Sequence, residues 1–273
     1  MENASFDAYS PREIAGRVEA VGAAKATMPF LSLVMLGVLA GAFIGLGALF
    51  SVIVFSDASL GYAVQRVLAG LVFSLGLLLV VVAGAELFTG NNLLAMAWAQ
   101  GVVTTKDLLC NWAVVCAANF AGAAGLAALV FWSGHTQMNG GAIELTYLEI
   151  AADKSALPFW SAFFRGVLCN VLVCMAVWMT LAGRSVTDKA IAIVLPIAAF
   201  VAAGFEHSIA NMYLFALAMM LQAAAGSPAQ VSWLWTNLAP VIAGNLVGGS
   251  VLVALVYYVI YRRGAARWAS ASR

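Results

Sequence analysis

Residues 204–212 read GFEHSIANM, and residues 84–91 read GAELFTGN. Each run places a glutamate and an asparagine, with a histidine, serine or threonine between them, inside a long apolar stretch. His207 and His135 are the two histidines of the chain, and His207 alone falls within an apolar segment. Its imidazole has two roles open to it. It can donate a proton or a hydrogen bond to a small anion, because its intrinsic pKa lies near neutrality, or it can rest as a neutral ring satisfied by a backbone carbonyl. Glu86 and Glu206 stand at matching places in the two runs. Each either binds substrate or accepts hydrogen bonds from amides freed where a helix breaks, and a bare carboxylate beside the path of an anion favours the second role. Thr89 and Asn91 sit in the earlier run, Asn211 matches Asn91 in the later one, and Asn170 lies within RGVLCNVLVC. For such amides and hydroxyls, binding and helix-to-helix bonding are both open. Phe73, Leu77, Leu87 and Phe200 lie within a few turns of the two runs, and either close a pore by dewetting or pack as ordinary core. Lys154, just before the next apolar segment, would raise the anion concentration at a pore mouth.

The elements that position these groups belong to a membrane. The chain is 64% hydrophobic and 9% charged, against about one quarter charged in soluble domains. Its mean hydropathy is +0.98. This is the composition of an all-α polytopic membrane protein, not of a nucleic-acid binder. Six apolar segments are expected at about 30–55, 67–100, 108–132, 159–182, 190–222 and 237–261. The fifth exceeds the roughly 20 residues that one crossing needs and carries its polar load at the centre. A break that lines a cavity explains both, and the second segment, with GAELFTGN, has the same form. The first holds Gly37, Gly41 and Gly45, a small-residue row that permits close helix contact. Six spans put both termini on one side. Ten of the 13 lysines and arginines fall on that side, which places both termini in the cytoplasm.

A repeat supports this plan. NWAVVCAANFAGAAGLAALVFW from Asn111 and NLAPVIAGNLVGGSVLVALVYY from Asn237 match at ten of 22 positions, including Asn119 with Asn245. Three spans per half force the two copies to run in opposite directions, so the expected architecture is an inverted 3+3 repeat with halves at about 30–132 and 159–261. Before it, residues 1–29 form an N-terminal segment whose Ser10-Pro11-Arg12-Glu13 looks like a helix start. That amphipathic helix is either an interfacial anchor or a gate. Residues 30–262 are the transmembrane channel domain, and 263–273 a cytoplasmic tail. The first 25 residues mix both charge signs without an apolar run, so the first membrane helix is expected to serve as its own targeting signal. The four cysteines fall in apolar helical stretches and read as packed thiols. No P-loop is present, which argues against an ATP-driven pump. No cofactor is expected. An intramembrane metalloenzyme on Glu206 and His207 falls short, because catalytic zinc usually takes three protein ligands.

GFEHSIANM, AELFTGN and RGVLCNVLVCMAVWMTLAGRS together resemble the formate/nitrite transporter family, over roughly residues 25 to 262. The resemblance implies an aquaporin-like six-helix protomer, a pore in each protomer and assembly as a homopentamer in the cytoplasmic (inner) membrane. It implies a transporter rather than an enzyme, carrying a small monovalent anion passively or with a proton. Formate comes first, because LPIAAFVAAGFEHSIANM and GRSVTDKA look closest to the formate channels; nitrite and hydrosulfide are the alternatives, since a glutamate with a Gly-Asn pair, as in AELFTGNN, also occurs in nitrite-type members. Carried over by position, His207 is the pore histidine and Glu206 its neighbour. Thr89 is the threonine of the broken second helix and Asn170 the asparagine near the histidine. Lys154, in ADKSALPF, is the vestibule lysine. Phe73 and Phe200 form the constrictions, with Leu77 and Leu87 beside them.

Overall fold

The computed structural model describes residues 8–263. Residues 1–7 and, from the expected tail, residues 264–273 with Arg267 and Arg273 lie outside them. The described residues form helices joined by short turns: α1 Pro11–Ala26, α2 Phe30–Phe55, α3 Tyr62–Gly84, α4 Phe88–Asn91, α5 Leu94–Ala99, α6 Thr105–Trp132, α7 Ala142–Ser155, α8 Phe159–Thr180, α9 Val186–Ala202, α10 Ser208–Ala224 and α11 Leu234–Arg263. The last turns of α3 and much of α11 are wound as π-helix. Five of these helices, α2, α3, α6, α8 and α11, are long and apolar enough to cross a membrane, and α10 is a shorter apolar one.

Local chemistry sets the ends. Ser10 opens α1 through a capping box, its hydroxyl accepting from the Glu13 amide while the Glu13 carboxylate accepts from the Ser10 amide at 2.8 Å. The Ser10 hydroxyl, donating to the carboxylate at 2.6 Å, and then the Ser10 amide hold the Glu13 carboxyl below the usual carboxylate range. Ser185 and Asp188 open α9 in the same way. Pro29 and Pro158 stand at the N-caps of α2 and α8, where a missing amide costs nothing.

In an apolar solvent helices associate by close approach of small residues. A Cβ on Gly41 would run into the Asn119 carbonyl, and one on Gly122 into that of Val38, which fixes the α2–α6 crossing. The α8–α11 crossing repeats the device: a Cβ on Gly244 would meet the Phe163 carbonyl, and one on Gly248 that of Val167.

The N-terminal helix departs from a lipid-facing anchor. Its apolar stripe, Ile14, Ala15 and Val18, is buried with Leu93, Met96, Trp178 and Val253 of the protein itself. Glu19, also buried, accepts from Arg262 of α11 through both carboxylate oxygens at 2.7 and 2.6 Å. Tyr9 lies between the guanidinium groups of Arg17 and Arg184, 3.5 and 4.2 Å from its ring centre. Segment 133–158, between the third and fourth expected apolar segments, contains the fourteen-residue helix α7. Its Ile143, Tyr147 and Ala151 are buried in the main apolar cluster, while Glu144, Glu149, Asp153 and Lys154 break up the apolar run.

Gly122→Val or Gly248→Val should destabilise the fold by about 2–3 kcal/mol through overpacking of a backbone contact. Thermal unfolding in detergent checks this, with the exposed Gly125→Ala, whose Cβ meets nothing within 4 Å, as the neutral control.

Candidate functional site

Helical winding stops at Gly84 and resumes at Phe88; it stops again after Ala202 and resumes at Ser208. Gly84 and Gly204 turn the chain with φ of +86° and +72°, a region that favours glycine. Each gap strands backbone groups at membrane depth, where every unpaired amide or carbonyl costs several kcal/mol. One asparagine per gap takes them up. Asn119 accepts from the Phe88 amide at 2.9 Å and donates to the carbonyls of Gly37 and Glu86 at 2.7 and 2.9 Å. Asn245 accepts from the Ser208 amide at 3.0 Å and donates to Gly166 and Glu206 at 2.8 and 3.0 Å. The Glu86 amide donates to the Leu36 carbonyl and the Glu206 amide to that of Arg165.

Beside each gap a second set of four residues repeats. Asn91 donates to Glu86 at 2.8 Å and to Asn111 at 3.0 Å, and Lys25 donates to Glu86 at 3.0 Å and to Asn91 at 2.8 Å. Asn211 donates to Glu206 at 2.6 Å and to Asn237 at 2.8 Å, and Lys154 donates to Glu206 at 2.8 Å. Asn111 and Asn237 also donate back to the carbonyls of Lys25 and Lys154. Both glutamates therefore lie in ion pairs, and their carboxylates accept from lysine and asparagine side chains rather than from the backbone amides freed at the gaps. Lys154 is engaged by Glu206 rather than free at a pore mouth.

The symmetry fails at the centre. Leu87 and His207 occupy the same place in the two gaps, with nearly the same backbone, φ −104° ψ 123° and φ −107° ψ 113°. His207 Nδ1 accepts from the Ala210 amide at 3.2 Å, and Nε2 lies 3.1 Å from the Thr89 hydroxyl oxygen. An Nδ1 that accepts leaves the ring proton on Nε2, so Nε2 donates to Thr89. The Thr89 hydroxyl hydrogen then has no acceptor among the described residues. A proton added at Nδ1 would displace the Ala210 amide.

Two cavities flank this centre. One, of about 390 Å³, is lined by Phe73, Phe200, His207, Glu206, Lys154 and Arg66, among others. The other, of about 460 Å³, is lined by Leu77, Leu87, Glu86, Asn91, Lys25 and Val80, among others. Between them the chain is closed. Phe73 and Phe200 meet edge to face at 5.4 Å between ring centres, and Phe200 stacks on His207 at 5.8 Å. Phe73, Leu77, Leu87 and Phe200 belong to one buried cluster. This is a dry septum with a single polar contact, Thr89 to His207, at its edge.

A family model described as "Formate/nitrite transporter" matches residues 12–259. The chain belongs to the formate/nitrite transporter family. The formate channel FocA of Escherichia coli K12 is 37% identical over 274 residues, covering 94% of this chain and 96% of that protein. The formate channel BtFdhC of Bacillus thuringiensis is 35% identical, covering 93% and 96%. A solved structure described as a pentameric formate channel with formate bound aligns at a TM-score of 0.78 with 37% identity, covering 85% of this chain and 97% of its own. Another, described as an FNT family ion channel, aligns at 0.81 with 29% identity, covering 91% and 98%. The relatives are transporters and channels, not enzymes, and this family member is likewise a multi-pass membrane protein.

Within this formate/nitrite transporter, the expected site residues divide into two groups. His207, Thr89, Phe200 and Phe73 come together at the septum, with Leu77 and Leu87 on its other side. Asn170 does not line either cavity. Its amide nitrogen lies 2.7 Å from both Asn92 Oδ1 and the Asn245 carbonyl, and 3.3 Å from the Thr89 carbonyl, which makes it a brace behind Thr89. Cys174 donates to the same Thr89 carbonyl. His135 lies in the 3₁₀ turn after α6, outside both linings, where burial pushes its pKa below the ordinary value. Among the described residues no three of His, Cys, Asp or Glu come together as a metal centre.

Lys25 escaped the sequence reading, where it counted only as a cytoplasmic charge. Its signal was present: KATMPF from Lys25 and KSALPF from Lys154 share Lys, Pro and Phe at equal spacing. The side chains of Lys25 and Glu86 are 24% and 7% exposed. Lys25→Met should therefore cost about 2–4 kcal/mol by stranding the Glu86 carboxylate. Lys25→Met combined with Glu86→Gln should recover much of the loss, as a double-mutant thermal-unfolding cycle would read.

Proposed function

We propose that this protein is a formate channel of the cytoplasmic membrane, a homopentamer with one pore per protomer. Six crossings form the protomer: α2, α3 with α4–α5, α6, α8, α9 with α10, and α11. They make an aquaporin-like inverted repeat with both termini in the cytoplasm. The Lys154 cavity faces outward and the Lys25 cavity faces the cytoplasm. Residues 30–262 are the channel domain, preceded by the docked segment 1–29. The observation that carries the reading is the pair of cavities separated by one apolar septum, with the Thr89–His207 contact at its edge. A scaffold protein gains nothing from two broken helices facing two cavities.

The chemistry follows from the septum. A small anion entering the Lys154 cavity sheds water at Phe73 and Phe200, and an apolar constriction is costly for a charge. The Thr89 hydroxyl, its oxygen occupied by His207 Nε2–H, offers its hydrogen to a carboxylate oxygen there. His207 thus acts as the hydrogen-bond donor that orients Thr89, and its Nδ1 bond to Ala210 speaks against a proton shuttle on the ring. Formate is a weak acid whose neutral form crosses an apolar septum far more cheaply than the anion, so flux should rise as pH falls. Asn170, Asn119 and Asn245 hold the frame, and Lys25 and Lys154 hold the glutamates beside it.

Flux into proteoliposomes, with formate, nitrite and hydrosulfide compared at about pH 7.5 and about pH 5.5, tests the assignment around the near-neutral histidine range. Formate should dominate and gain at the lower pH. Nitrite or hydrosulfide dominance would keep the pore and change its cargo. Thr89→Val should lower formate flux by about tenfold, the loss of one hydrogen bond to a charged group, while Thr89→Ser retains most of it. If His207→Gln abolishes the pH response while Thr89→Val leaves flux intact, the ring carries the proton and the Thr89 donor role is wrong.

A further inference from the structure

Arg66 sits on α3, in the first half of the chain, but acts on the gap of the second. Its Nε donates to the Ala202 carbonyl at 3.0 Å and its Nη2 to the Val201 carbonyl at 3.1 Å. These are the closing carbonyls of α9. At a helix end such oxygens lack intrahelical donors and carry the negative pole of the helix, roughly half an elementary charge. Val201 lines the cavity that His207, Phe73 and Phe200 share with Arg66. The third guanidinium nitrogen, Nη1, has no hydrogen-bond partner among the described residues. A Cβ on Gly204 would lie 2.8 Å from Nη2, so this glycine is needed for the seat of the arginine as well as for its φ.

The other gap has no such device. Counted back from Gly84 and Gly204, the place of Arg66 is taken on α9 by Val186. Among the described residues no side chain donates to the carbonyls of Val82 or Ala83. The charges lining the cavities show what Arg66 contributes. On the His207 side Arg66, Lys154 and Arg165 stand against Glu149, Asp153 and Glu206, while on the other side Lys25 stands against Glu86. The Val201 carbonyl also accepts from the Gly204 amide at 3.0 Å, so without Arg66 the Ala202 carbonyl at the helix end would lose its donor and the first cavity would hold an excess negative charge in front of an incoming anion.

We propose that Arg66 is a positioning and charge-compensating residue for anion entry, seating the end of α9 that carries Phe200 and cancelling the negative helix pole ahead of the septum. The proposal rests on the anion-channel reading. Initial rates of formate uptake into proteoliposomes, measured against formate concentration, test it with wild type, Arg66→Met, Arg66→Lys and Arg66→Gln. Arg66→Met should raise the half-saturating formate concentration about threefold to tenfold at low ionic strength. The difference should shrink in about 0.5 M potassium gluconate, where exposed charges are screened. Arg66→Lys, which keeps the charge, should return half-saturation to within about twofold of wild type. Arg66→Gln keeps a donor to Ala202 without the charge, and replaces the methionine variant if that one fails to assemble. Equal losses of maximal rate in all variants, with unchanged half-saturation and no salt effect, would make Arg66 a structural cap alone and overturn the proposal. A wild type that carries no formate would overturn the channel reading and this inference with it, an outcome distinct from an unshifted variant.

Discussion

Breaking a helix inside a membrane is the constraint on which this structure depends. Each gap exposes amides and carbonyls that water cannot reach, and hydrocarbon offers no substitute. Asn119 and Asn245 meet that demand with one carboxamide each, accepting from the first amide of the resumed helix and donating to one carbonyl within the gap and one on a neighbouring helix. Because each asparagine sits on a different helix from the gap it serves, it also fixes where α6 and α11 lie. The glycine crossings of α2 with α6 and of α8 with α11 then follow: the carboxamide reaches the Gly37 or Gly166 carbonyl only when the backbones approach closely.

The ion pairs form a second layer on this frame. Lys25 and Lys154 neutralise carboxylates that accept from the neighbouring asparagines, so two buried acids stay charged without facing the septum unpaired. Removing either partner of such a pair is costly, whereas removing both is tolerated far better. What remains uncompensated near the centre is a threonine hydroxyl with an unspent hydrogen, next to an imidazole whose other nitrogen is already committed, together with the Ser208 hydroxyl and the Asn211 carboxamide oxygen.

Much of this was legible in the sequence because membrane burial makes polar residues conspicuous. Glu86, Asn91, Glu206 and Asn211 stood out against apolar neighbours, and the match of Asn119 with Asn245 marked the repeat before any role could be given to it. Three features were not legible, each for a physical reason. Lys25 lies outside the apolar segments, so nothing local separated it from ordinary cytoplasmic charge. Helix α7 is short and interrupted by Glu144, Glu149, Asp153 and Lys154, so it does not register as an apolar segment. Asn170 carries the same polarity whether it faces a pore or braces a neighbour, and only its partners, Asn92 and the carbonyls of Thr89 and Asn245, distinguish the two.

Leu87 and His207 hold the same place in two otherwise matching gaps, so a solute meets the apolar and polar members of the pair in opposite order from the two faces. Unequal barriers in series add to the same total in either sense, so their order makes the rate depend on the sense of the gradient only once the path saturates or a voltage acts on the solute's charge. They do not move the point at which net flow stops, because reversing every step retraces the same path over the same barriers. Rectification is therefore open to such a septum when it is saturated or charged solute crosses under a voltage, while accumulation against a gradient requires that each solute carry a second ion or proton with it.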